Sequence, residues 1–187
     1  MAKFDFYTQK PTKEEIVEFQ TYYLTKPKLN LGCNKDIRKD YLNIDILDCF
    51  NDDGEGIDLI IDLALIHNII PKNSAKEILV YDVLEHFPFQ VTRQLLKNWV
   101  SLLKPEGKII VRVPDLYRLS DALRSGKLPI FQVQKLIYGG QDYEFNYHMA
   151  GFTGELLEGY LLGTGCKETV QVVKEDNSYN VTIVATK

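Results

Sequence analysis

The stretch Lys28-Leu29-Asn30-Leu31-Gly32-Cys33-Asn34 is followed, seven residues beyond Cys33 (34–40), by Tyr41-Leu42-Asn43-Ile44-Asp45. The first piece reads as a short apolar strand that enters a tight turn at Gly32, and the second as a strand that closes on a carboxylate. A glycine lets the chain turn sharply and lets a ligand approach the backbone, because no side chain stands in the way. A carboxylate at the end of the next strand can accept both hydroxyls of a ribose. Strand, glycine turn, crossover and acid-ended strand together suggest the nucleoside-binding edge of a parallel sheet. Such an edge suits an adenosine-type ligand and needs no phosphate grip.

The same residues depart from the dinucleotide fingerprint. Asp45 comes 13 residues after Gly32, where that fingerprint sets its acid about 20 residues on. The second and third glycines are missing. Asn34 stands where the second might be, and asparagine tolerates left-handed backbone angles. The crossover is also short, since parallel strands are usually joined by about a dozen residues, and this one allows about two helical turns at most. An NAD-dependent oxidoreductase is therefore the third of three readings.

The chain on either side supplies the alternation of strands and helices that a parallel sheet requires. Thr12-Lys13-Glu14-Glu15 has the form of a capping box, and Ile16, Phe19, Tyr22 and Tyr23 follow at helical spacing, giving a helix over 13–24. Ile57 to Leu63 reads as a strand with Asp62 near its end, and Ile66 to Pro71 as a short turn or helix. Glu77 to Tyr81 reads as a buried central strand running into Asp82-Val83-Leu84-Glu85-His86. A helix over 87–104, with Leu95, Leu96, Trp99 and Val100 on its apolar side, stops at Pro105 and Gly107. Lys108 to Val113 is another buried strand. Helices over 116–125, 129–138 and 154–162 follow, with the loop Gly139 to His148 between the last two. Cys166 to Lys174 and Tyr179 to Thr186 form a hairpin turned through 175–178. Gly32, Asp45, Asp62, Asp82 and Glu85 all fall at the carboxyl ends of strands, where open α/β sheets bind their ligands.

Composition bounds the reading. With 187 residues, 45% hydrophobic and 26% charged, the chain is expected to form a single domain of ordinary globular composition. A net charge of −4 with dispersed Lys and Arg gives no support to a nucleic-acid partner. Three cysteines, Cys33, Cys49 and Cys166, with no Cys-x-x-Cys pair, argue against a disulfide framework or a zinc site and for a reducing compartment. No apolar run reaches the roughly 18 residues that would mark a membrane span, and the N-terminus lacks a signal-peptide core. The expected location is cytoplasmic.

Taken in order, Leu29-Asn30-Leu31-Gly32-Cys33, Asn43-Ile44-Asp45, Asp62-Leu63, Leu84-Glu85-His86-Phe87, Leu103-Lys104-Pro105-Glu106-Gly107-Lys108 and Val113-Pro114-Asp115-Leu116 resemble class I S-adenosylmethionine (SAM)-dependent methyltransferases. More narrowly they resemble small members associated with surface-carbohydrate biosynthesis. Tyr138-Gly139-Gly140-Gln141 and His148-Met149-Ala150-Gly151-Phe152-Thr153 continue the likeness, which spans roughly 28–174. The resemblance implies a Rossmann-like, mostly parallel seven-stranded sheet with helices on both faces and a C-terminal antiparallel hairpin. It also implies a division into an N-terminal helix (13–24), a cofactor-binding half (28–115), an acceptor-side insertion (116–152) and a final helix and hairpin (153–187). SAM would be the cofactor and S-adenosylhomocysteine the product. Gly32 and its neighbours Asn30, Leu31, Cys33 and Asn34 would let its methionine end approach the backbone, and Asp45 would hold the ribose hydroxyls. Asp62 with Leu63 would flank the adenine and Asp82 would lie near the sulfonium or amino end, with Ile46 and Tyr81 also cofactor-binding. Glu106 departs from the family's second turn glycine.

The chemistry asks little of the protein, because the sulfonium is already an activated methyl donor and the acceptor must only be aligned with it. A sugar hydroxyl would need a base. His86 and His148 have side chains suited to that task near neutral pH, with Glu85 to orient either. The plainer alternatives are that His86 caps the next helix and that His148 is a satisfied loop residue. The acidic loop Asp48, Asp52, Asp53 and Glu55 reads as solvated rather than as a cation site, so no metal is expected. Trp99 reads as core. Tyr143, Phe145 and Tyr147 could stack on an acceptor or pin their loop. The expected partner is a small-molecule or carbohydrate acceptor methylated on oxygen or nitrogen. The second reading is a domain of the same fold that has lost turnover. Oligomeric state stays open, with the apolar residues of 129–138 as a candidate homodimer face.

Overall fold

The computed structural model describes residues 3–172 and 179–187. They form two compact units, one of residues 3–80, 98–109 and 187, the other of Tyr81–Lys97 and Ile110–Thr186. Among the described residues, no helix is long and apolar enough to cross a membrane.

The first unit carries strands β1 (Phe4–Asp5), β2 (Lys28–Leu31), β3 (Leu42–Asp45), β4 (Leu59–Ile60) and β5 (Ala75–Tyr81, whose last residue opens the second unit). Strand β6 (Leu103–Pro114) begins in this unit and ends in the other, which adds β7 (Glu168–Val172) and β8 (Asn180–Thr186). The sheet order is β1-β4-β3-β2-β5-β6-β8-β7. Pairs β1·β4, β4·β3, β3·β2 and β2·β5 are parallel, and β7·β8 is antiparallel. This is the mostly parallel sheet with a C-terminal antiparallel pair that the sequence led one to expect, but with eight strands rather than seven. The extra strand is β1, two residues paired with Leu59 and Ile60. Two residues carry no periodicity to read. Packing holds them instead: the rings of Phe4 and Phe6 both meet Phe19 edge-on, at centroid distances of 5.3 and 5.7 Å, an arrangement aromatic pairs favour.

Helix α1 (Lys13–Tyr23) starts at the expected capping box: Thr12 Oγ1 accepts from the Glu15 amide, and Glu15 Oε2 accepts from the Thr12 amide. Its buried side chains are Phe19 and Tyr23. Tyr22 lies at its edge and donates its hydroxyl to Asp58 at 2.5 Å.

Several boundaries differ from expectation, and β6 starts at Leu103 rather than Lys108. The helix read over 87–104 runs only from Thr92 to Leu102 (α2). Phe87 precedes Pro88 and is extended (φ −99°, ψ 145°), as the proline ring's crowding of its neighbour requires. At the other end the chain passes directly into β6 as Pro105 approaches, and Lys187 Nζ donates to the carbonyls of Ser101 (3.2 Å) and Leu103 (2.6 Å) there. The strand read over 57–63 is only Leu59–Ile60. In the second unit, α3 (Leu116–Arg124), α4 (Ile130–Tyr138) and α5 (Gly154–Leu162) match the expected helices. Leu119, Ala122, Leu128 and Val133 form a core cluster there. The hairpin's strands are present, and its turn at 175–178 lies outside the described residues.

Candidate functional site

In the first unit, β2 runs into a turn at Gly32 and β3 closes on Asp45. Gly32 and Asn34 both have left-handed backbones, φ 62° and 45°, the region glycine and asparagine adopt most readily. Asp45 ends β3 and clamps the turn. Its Oδ2 accepts from the Asn34 amide (2.8 Å), and its Oδ1 from the amides of Ile46 (2.7 Å) and Leu47 (3.1 Å). A carboxylate offers about four lone-pair sites. Three are used here, which leaves one on Oδ2 for a ligand hydroxyl.

The short crossover contains no helix. It is held by buried amides, a role the sequence reading did not give them. Asn30, only 3% exposed, donates its Nδ2 to Asp36 O (2.7 Å) and to Asn43 Oδ1 (3.1 Å). Asn43 Oδ1 also accepts from the Arg38 amide (2.9 Å), and its Nδ2 donates to Arg38 O (3.0 Å). A buried amide pair thus satisfies backbone groups that a crossover helix would otherwise satisfy internally. Asn30 Nδ2 is committed to the crossover, and Leu31 is fully buried. Cys33 is buried beside Ile57 and Ile60, and burial, with Asp45 adding to it, pushes its thiol far above the ordinary range.

Asp62 Oδ1 accepts from the Ala64 amide at 2.8 Å, a local turn that fixes the segment after β4. Leu63 is buried, and its carbonyl accepts from the Trp99 indole at 3.0 Å. Trp99 is core, as expected, but it also anchors this strand end. In the acidic loop, Asn51 Oδ1 accepts from the amides of Asp53 (3.1 Å) and Glu55 (2.8 Å), and Asp48, Asp52 and Asp53 are exposed.

In the second unit, the peptide leaving β5 is strained: Asp82 has φ 57°. The cause is visible. Its amide donates to Arg112 O (2.9 Å), and its carboxylate pairs with the Arg112 guanidinium and accepts from Asn180 Nδ2 (3.1 Å). Arg112 also lies over the Tyr81 ring, 4.6 Å from its centroid. The sequence reading named Asp82 and Tyr81 but missed Arg112 and Asn180, which are distant in the chain and lie on strands whose pairing no periodicity reveals.

The adjacent Glu85 and His86 come together with His148, 62 residues beyond His86. The two imidazoles meet edge-on, with centroids 4.7 Å apart. His86 Nδ1 lies 3.0 Å from the Tyr147 carbonyl, and His148 Nδ1 lies 3.0 Å from the Leu136 carbonyl. A carbonyl only accepts, so each ring carries a proton on Nδ1. Burial, followed by the neighbouring His86, lowers the pKa of His148, so the ring is neutral at pH 7. Glu85 sits in the 3-10 turn Leu84–His86. Its carbonyl accepts from the amides of Met149 (2.7 Å) and Ala150 (3.2 Å), which ties the segment carrying His148 to it. Its side chain is 1% exposed and neither carboxylate oxygen has a hydrogen-bond partner. Burial pushes its pKa up to about 8. Through Nδ1 the His86 ring is tied to the Tyr147 carbonyl. In the same loop the rings of Tyr143 and Tyr147 are exposed, while Asn146 O accepts from the Gln141 amide and closes the loop on itself.

No family model matches the chain, and no curated protein matches it in sequence. Solved structures do match in fold. A SAM-dependent methyltransferase from Archaeoglobus fulgidus is 14% identical with a TM-score of 0.56, over 92% of each chain. The CurJ carbon methyltransferase is 16% identical (TM-score 0.56) over 85% of this chain, which spans about half (47%) of its length. The 1,6-didemethyltoxoflavin-N1-methyltransferase of Burkholderia thailandensis, solved with S-adenosylhomocysteine and 1,6-didemethyltoxoflavin, is 12% identical (TM-score 0.53) over 92% of this chain and 76% of its own. At these identities the likeness establishes the fold, that of the class I methyltransferases.

Proposed function

We propose that the chain is a SAM-dependent methyltransferase acting on an oxygen or nitrogen of a small-molecule or carbohydrate acceptor. The observation that carries this reading is Asp45 at the carboxyl end of β3, clamped to a left-handed glycine turn with one acceptor site left on Oδ2. A ribose hydroxyl fits that site, and the turn's two left-handed residues give a ligand close access to backbone. Asp62 and the anchored Leu63 suit the adenine. The fold shared with methyltransferases of known structure supports the same cofactor. The neighbours named above methylate carbon in one case and nitrogen in another, so the acceptor is inferred from this chain's own side chains.

When bound, SAM supplies an electrophilic methyl group on a sulfonium. The acceptor heteroatom forms its new bond to that carbon as the S–C bond breaks, and its proton must leave. Nε2 of His148 or of His86 is the base, because each ring is held with its proton on Nδ1. Asp82 and Arg112, tied to each other and to Asn180, position the peptide between β5 and the Glu85–His86 turn.

Calorimetric titration with SAM and with S-adenosylhomocysteine tests the reading. Saturable one-to-one binding weakened in Asp45→Ala supports it; no heat and no thermal stabilisation at millimolar ligand overturns it. The second reading, a domain of this fold without turnover, draws on the three backbone amides that already occupy Asp45. Tight binding with no transfer to any acceptor in a broad screen would favour it.

A further inference from the structure

We propose that Glu85, His86 and His148 form a binding site for a divalent transition-metal cation. One ligand atom from each lies within 4.8 Å of the others. Three features of the cluster point to a cation rather than to a chance meeting of side chains.

The first is the Glu85 carboxylate. It is buried and both its oxygens lack hydrogen-bond partners. Burying a carboxylate without partners is costly, and buried polar atoms left unsatisfied in this way are rare enough to need a reason. A cation supplies the missing partner. The second is the orientation of the imidazoles. Both rings direct Nδ1 to a backbone carbonyl, of Tyr147 and of Leu136. Metal-ligating histidines are oriented by that same contact, which fixes the ring's orientation and tautomer. The third is how the backbone holds the far ligand in place. Amides of Met149 and Ala150 both donate to Glu85 O, so one residue anchors His148's segment and offers its own carboxylate.

Two imidazoles and one carboxylate suit zinc, iron(II), cobalt(II) or manganese(II), with coordination positions left open. Magnesium and calcium prefer oxygen ligands throughout. Donors about 2.0–2.2 Å from a metal lie roughly 3.0–3.5 Å from one another, so ligand atoms now up to 4.8 Å apart close by about 1.3–1.8 Å on binding. The cation site stands on these side chains alone. Only its use rests on the methyltransferase reading: a hydroxyl bound to the cation becomes acidic enough to lose its proton to solvent, and neither imidazole then acts as the base.

The test uses the full chain, stripped with a chelator and free of SAM. Zinc and cobalt are titrated calorimetrically, and the visible d–d spectrum of cobalt reports imidazole ligation. One equivalent is expected to bind, with Glu85→Gln and His148→Gln each weakening it about 100-fold or more and His67→Gln leaving it unchanged. Thermal melts establish that the variants fold; should Glu85→Gln fail to, His86→Gln and His148→Gln decide. No saturable binding at millimolar zinc or cobalt, or binding unmoved by the ligand variants, overturns the proposal. The two readings fail separately: cation binding without SAM binding sinks the enzyme and keeps the site, and the reverse keeps the enzyme and leaves an imidazole as its base.

Discussion

Replacing Asp45 tests both what the carboxylate does for the fold and what it does for a ligand. Asp45→Ala removes three amide partners, those of Asn34, Ile46 and Leu47. Two of these bonds are exposed, so water replaces them cheaply. At about 0.5–1.5 kcal/mol each, the loss of folding stability is about 1–3 kcal/mol, read by urea denaturation. Asp45→Asn keeps the shape but must turn its NH2 group towards one set of amides, so it also weakens the turn. The ligand term is separate. One hydroxyl on the remaining Oδ2 site, as a bond to a charged acceptor worth about 1.5–3 kcal/mol, makes Asp45→Ala weaken S-adenosylhomocysteine about 10- to 150-fold. A larger loss means that both ribose hydroxyls are held, which requires the Asn34 amide to swing away on binding. A dissociation constant within about twofold of wild type, with the stability loss as expected, would refute the assignment: Asp45 would then be a turn clamp and nothing more.

Other outcomes follow from the geometry. Asp58 is buried and accepts from Tyr22 Oη, Lys26 Nζ and the Asn43 amide, so Asp58→Ala should cost about 3 kcal/mol in denaturant unfolding; a cost near zero would mean that α1 is not fastened there. Asn34, with φ 45°, should accept glycine at no cost to stability, whereas Asn34→Ala should lose about 1 kcal/mol, a contrast that vanishes if the turn is not left-handed. Gly139 has φ 81°, and an added Cβ would stand 2.4 Å from Asn146 O and 3.1 Å from His148 Cδ2. Gly139→Ala should therefore lower the melting temperature and weaken cobalt binding together, and a shift in stability alone would show that the loop and His148 are uncoupled. Leu63 O is held by the Trp99 indole, so Trp99→Phe should cost about 1–3 kcal/mol in urea despite keeping an aromatic ring, and an unchanged midpoint would leave Trp99 as core packing only.

Much of the fold was legible because it is written in local terms. The capping box at Thr12, the apolar runs of β2, β3 and β5, the Gly32 turn and the helices over 116–124, 130–138 and 154–162 are each specified by neighbouring residues. So were the strand-end acids, since a carboxylate after an apolar run marks itself. Elements specified by distant partners were misread or missed. Strand β1 exists because Phe4 and Phe6 pack on Phe19, and the carbonyls at the end of α2 are met by Lys187, more than eighty residues on.

The sequence by itself therefore determined the alternation of strands and helices, the glycine turn and the acid that ends β3, because periodicity, caps and turn residues act over a few positions. Only the tertiary structure decided how a ten-residue connection could join β2 to β3 without a helix, through the buried amides of Asn30 and Asn43. It alone brought His148 to Glu85 and left a buried carboxylate without a partner. Side-chain satisfaction depends on what the folded chain sets opposite each polar atom, and that is not contained in any short stretch of residues.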